Sequence, residues 1–402
     1  MTICDTSTVV DWLAGGARSE AAIGDVLAEL CDRLIACGID LWRVGLFVGT
    51  LHPEIMGQRF LWRHASPVQV RNLSFEASQS EDTRLSPVTR VNVTGTAIRR
   101  RIAARDCPID FAVLRELRAE GATDYLASPV AFADGAVHAI TWATRRPKGF
   151  TEAQIAGIER IVDPLARIVE NRTLRQMSVD LLNIYVGNQG GSRILAGQIR
   201  RGHTEAISAA IWLSDMRGFT ALADRLPPAT LIELLNRYFD AQVPAIIERG
   251  GEILKFMGDG LLAIFPTTGS DADTSRVCAA VVAAACEARA TIAAMLGPAG
   301  DGETGTLRFG LALHLGEILY GNIGSGNRLD FTCIGPAVNV AARIEKLSAK
   351  LGRTILASEE FACHCRSEFA PIGRFSLAGL SSDQMVFGLE DEGDRTSDAV
   401  PR

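Results

Sequence analysis

The sequence predicts two folded domains, each mixing strands and helices in an α/β (α+β) arrangement. Three observations carry this. A chain of 402 residues is too long for one ordinary hydrophobic core. Its 47% hydrophobic and 22% charged residues are the balance of a globular protein, not of a disordered one. Stretches with apolar positions three and four apart alternate along the chain with short apolar runs that end in Gly, Asp or Pro turns.

Residues Val9 to Cys37 read as helix, with Ile23, Val26, Leu27, Leu30 and Leu34 forming its apolar stripe. Trp42 to Val48 and Arg59 to Trp62 read as strands around the loop His52-Pro53-Glu54. Phe111 to Glu120 reads as a second helix. Tyr125 to Ala133 and Val137 to Ala143 make a hairpin about Asp134-Gly135. Thr151 is suited to cap a long closing helix whose stripe is Ile155, Ile158, Ile161, Val162, Leu165 and Ile168. Helix, strands, hairpin and closing helix in this order resemble a GAF domain, a module that senses small molecules. The resemblance implies an antiparallel sheet with flanking helices and an unknown small-molecule or protein signal. His52, Trp62 and His64 read as packing or surface groups, not as ligand contacts.

The closing helix runs on through Asn171 to Leu182. Tyr185 to Glu205 then reads as a linker, in which Gly187, Gly190 and Gly191 break any continuous coiled coil. Further on, Val277 to Leu296 is the longest apolar stretch. Glu287 and Arg289 interrupt it, so it reads as a buried helix and no membrane span is expected. The first residues carry Asp5 and Asp11 and lack a basic leader, so the expected compartment is the cytoplasm. The nine cysteines have no repeating spacing and read as buried thiols; Cys363-His364-Cys365 is too tightly spaced for zinc. A net charge of −6 and a pI near 5.7 give no basic field for nucleic acid. An acidic protein that binds a polyanion must do so through local groups or metal ions.

The second half carries the chemistry. Ala206 to Leu213 is a β-like run ending at Ser214-Asp215-Met216-Arg217-Gly218-Phe219-Thr220. A strand, an aspartate, a glycine turn and a helix start offer a hard oxygen to Mg²⁺. The backbone N–H groups at Phe219 and Thr220 are free to meet phosphate. Alone, Asp215 reads equally as a turn or cap residue. A helix from Pro228 to Arg249 follows and stops at Gly250-Gly251. Glu252 to Phe265 is a hairpin about Gly258-Asp259-Gly260, and Asp259 by itself reads as an ordinary turn residue. Lys255, inside an apolar strand, needs solvent or a partner. Phe309 to Leu315 and Glu317 to Tyr320 read as two strands. Pro336 opens a helix on which Asn339 and Arg343 project one turn apart from one face, an arrangement suited to a ribose and a phosphate.

Asp215 to Thr220, Gly251 to Asp259 and Gly335 to Arg343, in this order, resemble the catalytic domain of class III adenylate and guanylate cyclases. The resemblance implies a ferredoxin-like βαββαβ core and a homodimer with sites at the subunit interface. Asp215 and Asp259 match the metal-binding aspartates, which hold two ions per site, Mg²⁺ or Mn²⁺. Lys255 and Thr332 match the base-reading positions, Asn339 the ribose-orienting asparagine, and Arg343 the arginine that stabilises the transition state. Threonine at position 332 resembles an adenylyl-specific subgroup, which implies ATP as substrate and cyclic AMP as product. Guanylyl forms place glutamate and cysteine at the two base-reading positions. One departure stands out: Ala378 occupies the place where the family commonly has a triphosphate-binding lysine. The implied layout is a GAF-like domain at 1–175, a helical linker at 176–206, the catalytic domain at 207–390 and a flexible tail at 391–402.

Overall fold

The computed structural model describes residues 5–17, 21–295, 308–380 and 382–390. The expected tail, 391–402, lies outside the described residues. The chain divides into two compact units, Met1–Leu181 and Leu182–Arg402.

The first unit is built on a six-stranded antiparallel sheet. Its strands are β1 (Arg43–Gly49), β2 (Ile55–Arg63), β3 (Ser66–Ser74), β4 (Ile98–Arg100), β5 (Asp124–Ala131) and β6 (Val137–Thr144). Their order is β3-β2-β1-β6-β5-β4. Side chains alternate between the two faces. Val44, Leu46, Trp62, Ile140 and Trp142 join a core with the helices Ser7–Ala14, Ile23–Ala36 and the first half of Glu152–Val186. Tyr125, Ala127, Ala139 and Ala143 pack on the opposite face against Pro87–Thr94 and Ala112–Ala119. Thr151 caps the closing helix reciprocally: its Oγ1 accepts from the Gln154 N–H at 3.2 Å, and Gln154 Oε1 accepts from the Thr151 N–H at 2.9 Å.

Two expectations for this unit are corrected. The helix expected across 9–37 is two helices, because Gly15 caps the first and Gly16 turns left-handed with φ +90°. Residues 66–100 hold two strands and three short helices that the sequence pattern does not announce. β3 is an edge strand with almost every side chain exposed, so it lacks the alternation that marks a half-buried strand.

The second unit holds β7 (Thr204–Arg217), β8 (Glu252–Met257), β9 (Gly260–Thr267), β10 (Arg308–Ser325), β11 (Arg328–Ile334), β12 (Ile355–Ser358), β13 (Phe369–Phe375) and β14 (Gln384–Leu389). The sheet order is β13-β14-β12-β10-β7-β9-β8, with β11 hairpinned onto β10. Within it, β10-β7-β9-β8 are mutually antiparallel. Helices follow β7, and the helix Asp271–Met295 connects β9 to β10. This is the ferredoxin-like βαββαβ core. By length and composition, Asp271–Met295 could cross a membrane. Here Val277, Cys278, Val281, Ala285, Ala288 and Ile292 are buried in the core of the sheet.

The two strands expected at 309–320 are one 18-residue strand. Gly316 stays in the ladder opposite Ala209 instead of turning the chain. The helix expected over 228–249 breaks into Pro228–Asp240 and Val243–Glu248. Pro244 has no N–H to give to the carbonyl one turn back.

Candidate active site

Register brings two acids to one end of the sheet. Asp215, near the end of β7, lies opposite Gly260 of β9. Asp259 immediately precedes Gly260, in a turn where Gly258 adopts φ +67°. The two carboxyl groups therefore meet, within hydrogen-bonding reach. The Asp215 carboxyl is held above the ordinary carboxylate range, first by burial and then by the charge of Asp259. Two hard oxygen donors that repel one another are a fitting seat for a divalent cation.

Behind this pair lies a cluster absent from the sequence reading. Gly310 on β10 pairs with Asp215 on its other side. A Cβ at Gly310 would fall 2.5 Å from Glu345 Oε1 and 2.7 Å from Arg217 Nη2, so only glycine fits there. The Arg217 guanidinium donates to Ser348 Oγ, from the same helix as Glu345. Burial and the neighbouring Asp215 push the Glu345 carboxyl up, while Arg217 opposes that shift. Arg217 thus ties the end of β7 to the helix Pro336–Leu351. The available sequence signal was a glycine in the middle of an otherwise apolar strand.

Gly218, with φ +72°, precedes the short helix Phe219–Arg225, whose start no side chain caps. Phe219 packs partly against the core, and Thr220 is exposed.

A second group forms where β8 meets β11. Lys255 Nζ lies 3.5 Å from Asp330 Oδ2. Thr332 is two residues along β11 and so on the same face as Asp330. Its hydroxyl is buried with no hydrogen-bond partner. Asp330 was not singled out in the sequence. It answers the question of what accompanies Lys255 in an apolar strand.

The third group is the helix Pro336–Leu351. Asn339 is exposed on it, and Arg343 is half-buried one turn on. The loop around Gly379 closes against Arg343: a Cβ there would lie 3.1 Å from Arg343 Nη2. Ala378, exposed beside it, contributes no charge. Among the described residues, no hydrogen bond or ion pair joins Arg343 or Asn339 to the Asp215–Asp259 pair or to Lys255.

Gly187, with φ +89°, interrupts the helix, in keeping with a break in any continuous coiled coil, and Gly190 has a packing task besides. Gly187 precedes the helix Asn188–Leu195, which packs on the sheet. The Gly190 N–H donates to Glu252 Oε1 at 3.2 Å, and Tyr320 Oη donates to Glu252 Oε2 at 2.6 Å. A Cβ at Gly190 would stand 2.9 Å from Phe331, which lies between Asp330 and Thr332. Burial pushes the Glu252 carboxyl up.

Residues 203–390 match the family model of the adenylate and guanylate cyclase catalytic domain. The chain is 30% identical over 211 residues to an adenylate cyclase of Anabaena cylindrica, covering 50% of this chain and 37% of that protein. It is 29% identical over 174 residues to adenylate cyclase 1 of Rhizobium meliloti, covering 42% of this chain and 25% of that protein. The chain therefore spans about a third or less of the length of these two relatives. A solved bacterial light-regulated adenylyl cyclase matches with a TM-score of 0.46 and 23% identity, over 57% of this chain and 65% of that one.

Among the described residues of the cyclase domain, no group of three or more His, Cys, Asp or Glu side chains is gathered as a metal cage. Beside the Asp215–Asp259 pair stands the Glu345 carboxyl, which feels the charge of Asp215. Cys363-His364-Cys365 does not converge: His364 Nδ1 is 3.0 Å from Ser275 Oγ, Cys365 is buried and Cys363 exposed.

Proposed function

We propose that residues 207–390 convert ATP to 3′,5′-cyclic AMP and diphosphate at sites shared between two copies of the chain. One observation carries this reading: the close pair Asp215 and Asp259, two acids held together against their mutual repulsion. A divalent cation pair, Mg²⁺ or Mn²⁺, bound there supplies positive charge for the phosphates and acidifies the ribose hydroxyl.

In the reaction the ribose 3′ oxygen bonds to the α-phosphorus, the bond to the diphosphate oxygen breaks, and the hydroxyl proton leaves to solvent. Asp215 and Asp259 hold the cations. Lys255 donates to a ring nitrogen of adenine, and the Thr332 hydroxyl, buried without a partner, accepts from its amino group. Asp330 keeps the ammonium of Lys255 in place. Asn339 orients the ribose. Arg343 meets the negative charge that grows around phosphorus, where a fixed guanidinium is most effective. Backbone N–H groups at Phe219 and Thr220 approach the phosphates.

The likeness to the cyclase family supports a homodimer, in which the arginine of one copy completes the acid pair of the other. The N-terminal sheet and its flanking helices support a GAF-like sensor at 1–175. The segment 176–206 then acts as transducer, since Gly190 packs directly behind the base-reading strands. The protein is proposed to work in the cytoplasm. Ala378 favours a second reading, a cyclase-like domain that binds nucleotide without turnover, because the triphosphate tail loses a cation there.

The test is to mix an Asp215→Ala chain with an Arg343→Ala chain. Each alone is inactive on ATP. The mixture regains part of the wild-type rate through one intact site per heterodimer. Failure to recover, with both variants folded and exchanging subunits, removes the shared site. Turnover with GTP equal to that with ATP removes the adenylyl assignment.

A further inference from the structure

One face of the N-terminal sheet is filled only in part by its hydrophobic cluster. Opposite the apolar helices, this face opens on a cavity of about 500 Å³ lying under the helices Pro87–Thr94 and Ala112–Ala119. Where the strands cross this face their side chains are small, with Gly57, Thr141 and Ala143 in the wall. Phe47 and Leu61 supply apolar surface. Into the same space, from the middle of the sheet, come Arg43 of β1 and Arg59 of β2.

Both arginines are half-buried. Among the described residues neither guanidinium makes a hydrogen bond or an ion pair, and Arg59 Nε is shut off from solvent with no acceptor. Further positive charge stands nearby. Arg63 and Arg71 both press on Arg59, and Arg63 presses on Arg43. Arg63 is matched by Glu120 at 3.9 Å. The acids in the cavity wall are Asp82 and Glu116; neither forms an ion pair with Arg43 or Arg59, while the charges of Glu116 and Glu120 act favourably on Arg43 and that of Glu116 on Arg59. Burial lowers the proton affinity of both guanidinium groups, yet arginine stays charged in proteins. Two half-buried cations of like charge, facing a cavity with Phe47 and Leu61 in its wall, are less favourable for an empty fold than for one that an anion enters.

We propose that this cavity is a binding site for a small organic anion, a carboxylate or phosphate ester on an apolar body, whose charged end is held by Arg43 and Arg59. A planar fork of N–H donors suits either head group. The proposal deepens the sensor reading given above and rests on it only for the consequence on turnover. Binding itself is a property of these side chains.

The experiment uses the full chain with three probes: benzoate, phenyl phosphate and, as the uncharged isostere, benzamide. Calorimetric titration and thermal melting are run on the wild type and on Arg43→Met, Arg59→Met and Arg59→Lys. At least one of the two anions binds and raises the melting point of the N-terminal domain, and benzamide does not. Arg59→Met binds that anion at least about tenfold more weakly, while Arg59→Lys keeps part of the affinity. Without any probe, Arg59→Met melts about 2–4 °C higher, because an unpaired charge has been replaced by an apolar chain. Three outcomes overturn the assignment: benzamide acting as well as the anions, no response to either anion, or an anion response that survives both methionine substitutions. A lower melting point for Arg59→Met overturns the claim that this charge lacks a partner. Anion binding with no change in ATP turnover keeps the site and removes the sensor reading.

Discussion

The two sheets handle charge in mirrored ways. In the C-terminal sheet, register sets Asp215 beside the turn that carries Asp259, and the acids crowd each other. In the N-terminal sheet, adjacent strands bring Arg43 and Arg59 to one cavity, and the bases crowd each other. Within its own domain each pair is offset only in part, Asp215 by Arg217 and Lys346, the arginines by Glu116. Like charges held together are unfavourable to folding, so a fold that keeps them is shaped by something that arrives later with the opposite sign. The acids call for metal cations, the arginines for an organic anion. The difference lies in the surroundings: the acids sit at a strand end, and the arginines face a cavity with apolar residues such as Phe47 and Leu61 in its wall. The first suits a hydrated ion and a large nucleotide, the second a small ligand stripped of water.

The largest effect that sharpens this contrast comes from removing one acid. Asp259→Asn lowers turnover of ATP by at least about 10²–10³-fold. The metal-free variant nevertheless melts higher than the metal-free wild type, because the repulsion is gone. Mg²⁺ or Mn²⁺ raises the melting point of the wild type and leaves that of Asp259→Asn nearly unmoved. An unchanged rate, or equal stabilisation of both proteins by the ions, breaks the comparison at its acidic end.

Much of the acidic end was legible in the sequence, and little of the basic end was. A strand that stops at Asp215, the Gly258-Asp259-Gly260 turn, and Pro336 opening a helix with Asn339 and Arg343 are local signals. Neighbouring residues fix each of them. The order of these segments then resembled a known catalytic domain. Arg43 and Arg59 sit 16 positions apart, and only strand pairing across β1 and β2 turns them to one face. Read singly, each is an ordinary strand arginine. The Arg217–Glu345–Ser348 cluster was illegible for the same reason, since its parts come from β7 and the helix Pro336–Leu351. Gly190 was visible as one of the glycines that break a coiled coil, but its closeness to Phe331 is tertiary and had no local signal. The edge strand β3 gave no alternation to read.

A smaller effect tests whether that glycine links the two halves of the comparison. Gly190→Ala pushes a methyl group against Phe331, where 2.9 Å is available, and disturbs the N–H donated to Glu252. Overpacking of this kind destabilises by about 1–3 kcal/mol. Phe331 shifts between Asp330 and Thr332, so KM for ATP rises several-fold while the metal response through Asp215 and Asp259 is retained. Gly326→Ala is the control, since a Cβ there meets nothing within 4 Å. Equal kinetics for the two variants would show that the helix Asn188–Leu195 rests on the sheet without influencing the base-reading strands.

The smallest effect is a pH dependence confined to the acids. The folded Asp215 carboxyl holds its proton more tightly than an unfolded aspartate, whose ordinary value is 3.8. Between that value and the raised folded one, the native state binds more protons than the unfolded state, so stability falls as pH rises through this window. Below the window the contribution is absent, and above it the loss is complete and constant. Glu345 and Glu252 titrate in the same direction, so the informative quantity is the wild type minus Asp215→Asn. Melting points taken without divalent ions from pH 4 upward should show the wild type losing about a degree or two more than the variant. Saturating Mg²⁺ erases the difference, because a bound cation favours the ionised carboxylate. The arginine pair has no counterpart to this profile, as guanidinium groups keep their charge throughout. A difference curve that stays flat without metal would mean that the two acids do not feel each other, and the likeness between the two ends of the molecule would rest on the arginines alone.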